Sequence, residues 1–441
     1  MKKNYLLGIA LMASLSFYSC DKEVIYVQDG NGVESVADGD QIITLQVENG
    51  GDGLTTRAGR PLYSAEAKQN IQNVKLWICD SNKKVVYVKE ISNWDTEGST
   101  VYTTGGHGRK TTFELTEKLE AGSYTVYAVG YSNSSDYTLD AVTKVTKDGT
   151  FSENMVLPIK EGAENKIGEE IFAGELSLTV ETGKGFNKPV VLNRQVAGAF
   201  AYVKDIPYFS DAKYLKLVAS AQNQSLVLGH FNSVNLTGNG SDNEGNVKYV
   251  VNGTNAASES EPYAISTIDL TQWFTSIQDT DGDNLIDVTS NWKNPYSSEG
   301  EGHPTFVKGS VFGGEFVIPF AHVASTQTLT LQLTKEDGTV LRSWKVNLGS
   351  NDEQLSSSIT CWNSGSSDWS TTVTDESSNS YSLVRNHLYG IGTRMNDDPG
   401  NGTDPTDPTP DTDDPESLNN KQELTLQVND NWEVIHEMEL D

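Results

Sequence analysis

The segment from residue 423 to residue 441 constrains the fold most strongly, because apolar and polar side chains alternate along most of its length. This alternation has the period of a β-strand, and no helical period competes with it. At about 3.3 Å per residue the strand is about 60 Å long, which exceeds the usual length of about five or six residues. Such a strand needs a long groove to cover its apolar face. The side chains predicted to enter the groove are Leu424, Leu426, Val428, Trp432, Val434, Met438 and Leu440.

A linker rich in proline, glycine and acidic residues, residues 400–422, precedes this segment. Its prolines and its like charges prevent a packed core and favour an extended chain. The C-terminal strand is therefore predicted to be detached from the body of its own chain. A strand on such a tether can reach another molecule.

A second copy of the strand pattern lies near the other end of the chain. Residues 43–47 read ITLQV and residues 424–428 read LTLQV, with apolar residues at alternate positions in both. Either this short identity is a coincidence, or the two copies occupy the same slot in a sheet at different times. We favour the second interpretation because of where the copies lie. One copy precedes a candidate cleavage site, described below, and the other follows the linker of residues 400–422. The displaceable strand then contributes Ile43, Leu45 and Val47.

Residues 1–20 have the features of a targeting segment and are excluded from the fold. Two lysines near the start are followed by a short apolar stretch, residues 5–18, which is too brief to span a membrane comfortably. The end of this stretch at Cys20 resembles a bacterial lipoprotein signal, in which the peptide is cleaved before the cysteine and the cysteine is acylated. Cys20 is therefore the predicted lipidation site, and acyl chains attach a protein to a membrane without a transmembrane helix.

The leader that follows, residues 21–57, ends in an open loop, and this loop carries two isolated cations, Arg57 and Arg60. An isolated arginine is ordinarily a solvated surface residue. A protease specific for arginine that cuts between Arg57 and Ala58 would, however, release both the lipid anchor and the strand of residues 43–47. Arg60 is a rival cleavage position, and the sequence leaves the choice open.

The composition excludes one class of partner. The chain has 32 Lys and Arg against 61 Asp and Glu, so its formal net charge is −29. A surface this acidic repels nucleic-acid phosphates and anionic lipid, and it suits a soluble surface outside the cell. After Cys20 only Cys79 and Cys361 remain, so the fold does not depend on a disulfide framework.

The rest of the chain has the pattern of short strands joined by turns. Residues 58–205 contain several alternating runs and hairpins, and residues 206–399 contain a second set, with a turn at Asp337 and Gly338 in the clearest hairpin. Short strands at this spacing, with few helical stretches, predict sandwiches of antiparallel sheets. The predicted fold is therefore all-β, with two β-sandwich domains of the transthyretin and immunoglobulin kind in tandem and a detached C-terminal strand.

Several motifs, taken in order, resemble those of one family. They are the lipoprotein signal ending at Cys20, the junction of Arg57 and Ala58, IFAG at 171–174, VVLNRQVAG at 190–198, FVIPF at 316–320, LVRNHLYGIG at 383–392 and NWEVIHEMEL at 431–440. Together they span nearly the whole chain. The chain resembles the fimbrillins of Bacteroidales-type (type V) pili, and within them the major subunits of the short, or minor, fimbriae.

This resemblance implies an outer-membrane lipoprotein precursor that is cleaved after an arginine and polymerises by donor-strand exchange into extracellular fimbriae used in adhesion. In that scheme each subunit loses its first strand and takes up a strand from its neighbour. The implied partners are further copies of the chain, anchor and tip subunits, an arginine-specific protease, and receptors on host or bacterial surfaces. Tip and anchor subunits are expected to lack either the donor tail or the cleavable leader. This chain has both, which favours a stalk subunit, with the tip and anchor roles as alternatives.

One acidic loop has the spacing of a calcium site. Its carboxylates stand at positions one, three, five and nine, and Ca²⁺ prefers several hard oxygen ligands at such spacing. The loop lacks the Gly at position six and the Glu at position twelve of an EF-hand. It is therefore either a Ca²⁺ site or a plain acidic surface turn, and no other cofactor is predicted. The four residues are Asp279, Asp281, Asp283 and Asp287.

The sequence motifs do not support an enzyme. The six histidines are scattered, with no pair at metal-ligand spacing. A Ser-x-x-Lys match at Ser81 and Lys84 lies in a hairpin turn with no partner motif, and the sequence has no phosphate-binding loop and no nucleophile elbow. The alternative from another class is a surface lipoprotein that binds glycans. It would use exposed aromatic residues, which are equally explained as core residues: Trp292, Tyr296, Trp362 and Trp369.

Overall fold

The structure is a computed structural model, and the strands account for most of it. It describes residues 27–28, 34–35, 39–49, 71–102, 107–133, 135–160, 170–220, 223, 225–230, 249–253, 263–295, 306–321, 328–348, 358–373, 382–393, 414–419, 421 and 423–431. Within these ranges the predicted all-β fold class is confirmed. None of the helices found in them has the length and apolar character of a membrane span.

Short strands make up the first half of the described chain. They are β1 (Val27–Gln28), β2 (Glu34–Ser35), β3 (Gln41–Asn49), β4 (Asn73–Asp80), β5 (Val85–Ser92), β6 (Thr100–Tyr102), β7 (His107–Glu114), β8 (Gly122–Tyr131), β9 (Met155–Pro158), β10 (Phe172–Val180) and β11 (Phe186–Arg194). One short helix, α1 (Asp140–Thr143), lies between β8 and β9. β1 and β2 form a small two-stranded sheet.

Eight of these strands form the N-terminal sheet, in the order β5-β4-β8-β10-β11-β3-β7-β6. The sheet turns a corner where β10 meets β11, and there these strands pair at Phe172 and Ala173. Apolar side chains from both sides of the corner form one cluster, so the sheet folds over as a sandwich. A Cβ atom on Gly174 would lie 1.9 Å from the carbonyl oxygen of Val191, so only glycine permits this close crossing.

Strands also dominate the second half of the described chain. They are β12 (Ala197–Lys204), β13 (Tyr214–Ala219), β14 (Ser225–Leu228), β15 (Tyr249–Val251), β16 (Tyr263–Asp269), β17 (Val311–Val317), β18 (Phe320–Ala321), β19 (Leu329–Thr334), β20 (Val340–Leu348), β21 (Ser358–Asn363), β22 (Asp368–Val373), β23 (Ser382–Leu383), β24 (His387–Ile391), β25 (Glu416–Ser417) and β26 (Glu423–Asn431). The short helix α2 (Leu270–Trp273) follows β16, and the side chain of Asp269 caps it by accepting from the N–H of Thr271.

Nine strands of this half form the C-terminal sheet, in the order β16-β13-β19-β20-β26-β24-β12-β17, with β25 beside β12. The position of β12 corrects the predicted domain boundary at residue 205, because β12 precedes that boundary and yet pairs with β17 and β24. Both faces of β12 are buried, so its sequence is a continuous apolar run and carries no boundary signal. The chain passes from one sheet to the other at Gln195 and Val196.

The two halves share an apolar core. β9 from the first half pairs antiparallel with β14 from the second. One cluster of buried side chains contains Trp77 and Tyr127 from the N-terminal sheet together with Phe200 and Leu215 from the C-terminal sheet. β4 is accordingly buried on both faces. The N-terminal sheet therefore packs against its own folded-over part on one face and against the second half of the chain on the other.

Candidate strand-exchange site

β3 lies inside the folded-over part of the N-terminal sheet. It runs parallel to β11 over seven residue pairs and antiparallel to β7 over eight. Its main chain is therefore paired along both edges. The three residues of the predicted displaceable strand, Ile43, Leu45 and Val47, are 0% exposed and belong to the apolar cluster of the sandwich. The structure thus brings them together on one buried face.

Two polar side chains of β3 are also buried, and the alternation of apolar residues did not single them out. Gln41 donates from Nε2 to the carbonyl oxygen of Leu119 at 2.9 Å, and its Oε1 accepts from the N–H of Leu119 at 2.6 Å. The hydroxyl of Thr44 lies 3.0 Å from the hydroxyl of Thr112 and 3.5 Å from Oδ1 of Asn187. Buried polar groups are stable in a core when they are hydrogen-bonded. A strand that fills this slot must therefore match it in polar positions as well as in apolar ones.

The C-terminal copy of the pattern lies in the C-terminal sheet of its own chain, as part of β26. Leu424 and Leu426 are 3% and 1% exposed and belong to the shared core. In this structure residues 423–431 are therefore docked, where the sequence predicted a detached strand. Tertiary contacts explain this difference. The main chain of β26 pairs with β20 and β24, and the shared core covers its leucines. The sequence pattern of β26 contains no information about those neighbours.

β26 is paired less completely than β3. Residues 423–426 run parallel to β20, and residues 427–431 run antiparallel to β24. Among the described residues, four pairs join β26 to each neighbour, against seven and eight for β3. Within this part of the chain, the slot of β3 therefore has the larger number of paired residues.

The remaining residues of the predicted exchange lie mostly outside the described part of the chain. Val428 lies opposite Tyr389 of β24. The predictions for the rest of the tail, for lipidation and for cleavage stay predictions. The residues outside the described ranges are Trp432, Val434, Met438, Leu440, Cys20, Arg57, Ala58 and Arg60.

The structure brings three of the four predicted calcium ligands together. Carboxylate oxygens of Asp279, Asp281 and Asp283 lie within 4.8 Å of one another. Asp287 instead accepts hydrogen bonds from the hydroxyl of Thr280 at 2.7 Å and from its N–H at 3.1 Å, and these bonds lower the pKa of the Asp287 carboxyl. Asp287 is therefore engaged in holding the loop.

The clustered carboxylates also bond the main chain of their own loop. Asp279 accepts from the N–H groups of Gly282 at 2.8 Å and Asn284 at 3.0 Å. Asp283 accepts from the N–H of Leu285 at 2.8 Å. Because these bonds stabilise the turn, they explain the acidic residues without a bound ion. Ca²⁺ binding therefore stays a prediction.

The aromatic residues considered for glycan binding are engaged in packing wherever the structure describes them. Trp362 is 5% exposed. The indole N–H of Trp369 donates to Oδ1 of Asn154 at 2.9 Å, and that of Trp292 donates to a main-chain carbonyl at 2.6 Å. Tyr296 lies outside the described residues. Trp362 is therefore a core residue, whereas Trp292 and Trp369 are partly exposed, and glycan binding by these residues stays a prediction.

Comparison with known proteins points to one family. A model of the fimbrillin-A associated anchor proteins Mfa1 and Mfa2 matches residues 43–284, which is more than half of the chain. The fimbrial anchor protein Mfa2 from Porphyromonas gingivalis is a similar solved structure, with 11% identity, coverage of 78% of this chain and 99% of that one, and a TM-score of 0.33.

Two further solved structures have comparable similarity. The tip fimbrial protein Mfa3 from Porphyromonas gingivalis has 10% identity, coverage of 79% and 93%, and a TM-score of 0.37. A fimbrial assembly protein from Parabacteroides distasonis has 11% identity, coverage of 78% and 98%, and a TM-score of 0.34. A search of curated proteins gives no match.

Proposed function

The chain belongs to the family of fimbrillin-A associated anchor proteins Mfa1 and Mfa2 and is a fimbrial subunit of the cell surface, and we propose that it forms the stalk of the fimbrium by donor-strand exchange. In this proposal the chain is exported as a lipoprotein acylated at Cys20, and an arginine-specific protease then cuts after Arg57 or Arg60. Loss of the leader removes β3. The C-terminal segment of the next copy then fills the vacated slot. The role is structural and involves no catalysis.

The slot of β3 is the observation that carries this proposal. Ile43, Leu45 and Val47 are fully buried there, and burial of such side chains stabilises by about 1.5 to 3 kcal/mol each. Release of β3 therefore leaves an apolar groove with two unpaired strand edges, those of β7 and β11. An apolar groove and unpaired strand edges are stabilised when another strand covers the groove and pairs with both edges.

The C-terminal copy matches the vacated groove in its apolar pattern, and the groove offers it main-chain pairing. LTLQV at residues 424–428 reproduces the alternation of ITLQV at residues 43–47. Among the described residues, β26 forms four pairs with each of its neighbours, whereas β3 forms seven and eight. The vacated slot therefore offers the segment main-chain pairing along two strands and an apolar face for its leucines.

The central experiment is N-terminal sequencing of the mature surface protein, combined with electrophoresis in SDS without boiling. We expect a mature N-terminus at Ala58 or Pro61 and a ladder of polymers. A chain with Arg57→Ala and Arg60→Ala is expected to keep its leader and to remain monomeric, because β3 then stays in its slot. Fibres built from subunits that retain residues 21–57 would contradict donor-strand exchange.

An anchor subunit is the second candidate function. It is favoured by the docking of β26 in the sheet of its own chain, since a strand that stays docked is not donated. An anchor would keep Cys20 and its acyl chains in the mature fibre, and it would be present once per fibre at the base. The same N-terminal sequencing therefore separates the two roles, and immunogold labelling along the fibre provides an independent check.

A further inference from the structure

The two copies of the strand pattern agree at polar positions as well as at apolar ones. Alternating apolar residues explain why both segments are strands. They do not explain why the polar residues between them are the same. When Leu424 is aligned with Ile43, the matched polar pairs are Gln41 with Gln422, Thr44 with Thr425, and Gln46 with Gln427. Gln422 lies outside the described residues, so its match rests on the sequence alone.

In the first copy, Gln41 and Thr44 are 4% and 8% exposed, and both are hydrogen-bonded. Gln41 bonds both main-chain groups of Leu119, and Thr44 bonds Thr112 across the β3 and β7 pair. On the other side of the slot Asn187 is 1% exposed, and its Nδ2 has no hydrogen-bond partner within the described residues. Asn187 is therefore a buried polar group that a polar partner on the incoming strand stabilises, whereas Leu119 is half-buried and Thr112 is exposed.

Thr425 does not use its hydroxyl group where it now lies. It is exposed on β26, opposite Asn347 of β20. In the part of the chain that the structure describes, its side chain makes no hydrogen bond. The contacts of Thr425 in its own sheet therefore do not explain why this position carries the same residue as position 44.

Apolar alternation alone does not fix the register of an exchanged strand. A strand has period two, so a shift by two residues keeps the apolar side chains on the buried face. Such a shift places either Glu423 or Gln427 where Thr44 lies. Glu423 would bury a carboxylate at a position where Thr44 is 8% exposed, and Gln427 would bring a larger side chain. Only the unshifted register returns a threonine to Thr112.

We propose that the C-terminal segment docks into the groove of a second copy of this chain in a single register, and that Gln422 and Thr425 fix that register by taking over the hydrogen bonds of Gln41 and Thr44. The proposal rests on the proposed function, because it requires that strands are exchanged. It identifies the polar groups of the groove, on Leu119, Thr112 and Asn187, as the features that select the donor. The groove therefore binds a foreign strand with the same apolar pattern less tightly when that strand lacks the glutamine and the threonine.

Disulfide mapping in assembled fibres tests the register. The full-length chain carries Cys361→Ser to remove the partly exposed native thiol. Gln427→Cys is combined with Lys110→Cys, because Gln46, the counterpart of Gln427, lies opposite Lys110, and this pair leaves Thr425 and Thr112 intact. Directly opposite residues have Cβ atoms about 4.5 to 5.5 Å apart, close to the spacing of about 3.5 to 4.5 Å in a disulfide. We expect a covalent ladder on denaturing gels without reductant, since each disulfide joins two subunits.

Matched cysteine pairs distinguish the alternatives. Asn429→Cys with Lys110→Cys reports a shift by two residues in one direction, and Gln427→Cys with Gly108→Cys reports a shift by two in the other. A ladder from one of these pairs, with none from Gln427→Cys and Lys110→Cys, overturns the single register and leaves strand exchange standing. Glu423→Cys with Lys345→Cys reports a strand that stays in its own sheet. Fibres built from chains with that internal disulfide also overturn the proposal. If the parent chain forms no fibres, the proposed function itself fails.

Side-chain variants test the roles of the two polar residues. Thr425→Val keeps the shape of threonine and removes the hydroxyl, and Gln422→Leu removes the amide. Each is expected to reduce the yield of fibres by about three- to tenfold, which is the effect of one lost hydrogen bond, and Thr425→Ser is expected to restore assembly. Thr267→Val, on the exposed face of β16, is the control and is expected to have no effect. Normal assembly of both Thr425→Val and Gln422→Leu chains would overturn the assigned roles.

Discussion

The guanidinium group of Arg385 donates a hydrogen bond from Nη1 to Oε1 of Gln195 at 2.8 Å, and both residues are buried. Arg385 precedes β24, which is a neighbour of β26, and Gln195 follows β11, which is a neighbour of β3. The bond therefore connects the surroundings of the two strand copies. Arg385 also donates to the main-chain carbonyls of Gly229 at 2.9 Å and of His230. It is the polar centre of the junction between the two sheets.

Replacement of Arg385 is predicted to destabilise the whole subunit. Arg385→Met leaves Oε1 of Gln195 and the carbonyl of Gly229 without this buried donor, and each such loss costs about 1 to 3 kcal/mol. We expect the free energy of unfolding to fall by about 2 to 4 kcal/mol in urea denaturation of the purified subunit. Lys308→Met, an exposed cation, is the control. An Arg385→Met subunit as stable as this control would show that the bonds do not hold the junction.

The buried ion pair between Glu170 and Arg194 gives a second prediction. The two groups are 2.8 Å apart and their side chains are 1% and 2% exposed. Glu170→Gln leaves a buried guanidinium without its counter-ion, and we expect a loss of about 3 to 5 kcal/mol in urea denaturation. The double variant Glu170→Leu with Arg194→Met is expected to be more stable than Glu170→Gln, because it removes both charges.

An exposed ion pair is the control for that experiment. Asp140, the first residue of α1, is paired with Lys144, which follows the helix, and these side chains are 60% and 73% exposed. Replacement of Lys144 by Met is expected to change stability by less than about 1 kcal/mol. Equal effects at the buried and the exposed pair would contradict the assigned importance of burial.

The carboxyl group of Glu315 predicts a dependence of stability on pH. Burial raises the pKa of this carboxyl to about 7, above its value of about 4.3 in an unfolded chain. The folded protein therefore binds the proton more tightly. The contribution of this group to stability is complete below about pH 4 and is lost as the pH rises through about 7.

Glu315→Gln tests this sign, because the amide stays neutral at every pH. The variant is expected to be more stable than the parent at pH 8 and equally stable at pH 4, as measured by urea midpoints. Glu336→Gln, at an exposed position, is the control and is expected to show no such difference. A constant stability difference between Glu315→Gln and parent at both pH values would contradict the prediction.

The sequence predicted what depends on local pattern. Alternation identified the buried face of β3 and, in β26, the face of Leu424 and Leu426 that the core covers. It misplaced the boundary at β12, because a strand buried on both faces does not alternate. The docking of β26 was missed because its neighbours β20 and β24 are distant in sequence.

The alternation of apolar residues does not predict the polar part of the site, although the sequence contains a signal of it. Gln41 lies on the same face of β3 as the buried apolar residues, Thr44 lies on the face that alternation assigns to solvent, and both polar side chains are buried. Their burial follows from packing against Leu119 and Asn187, which only the folded structure brings near. The identity of Gln41 with Gln422 and of Thr44 with Thr425 was visible in the sequence. The neighbouring sequence does not indicate that these matched residues occupy buried positions.

Peptide complementation tests whether the two strand copies fit one slot. A chain that begins at Ala58 lacks β3, and a peptide of residues 39–49 added in trans is expected to stabilise it, because the peptide restores the pairing and the apolar burial of β3. A peptide of residues 420–431 is expected to act in the same way. It should raise the thermal midpoint more as its concentration increases, and the free energy of unfolding should rise by about 2.7 kcal/mol at a hundred times the dissociation constant. The same peptide with Leu426→Asp should have no effect, since a carboxylate cannot enter the apolar groove without a large desolvation cost. Stabilisation by the first peptide alone would mean that the slot rejects the C-terminal copy, and the donor would then have to lie elsewhere in the chain.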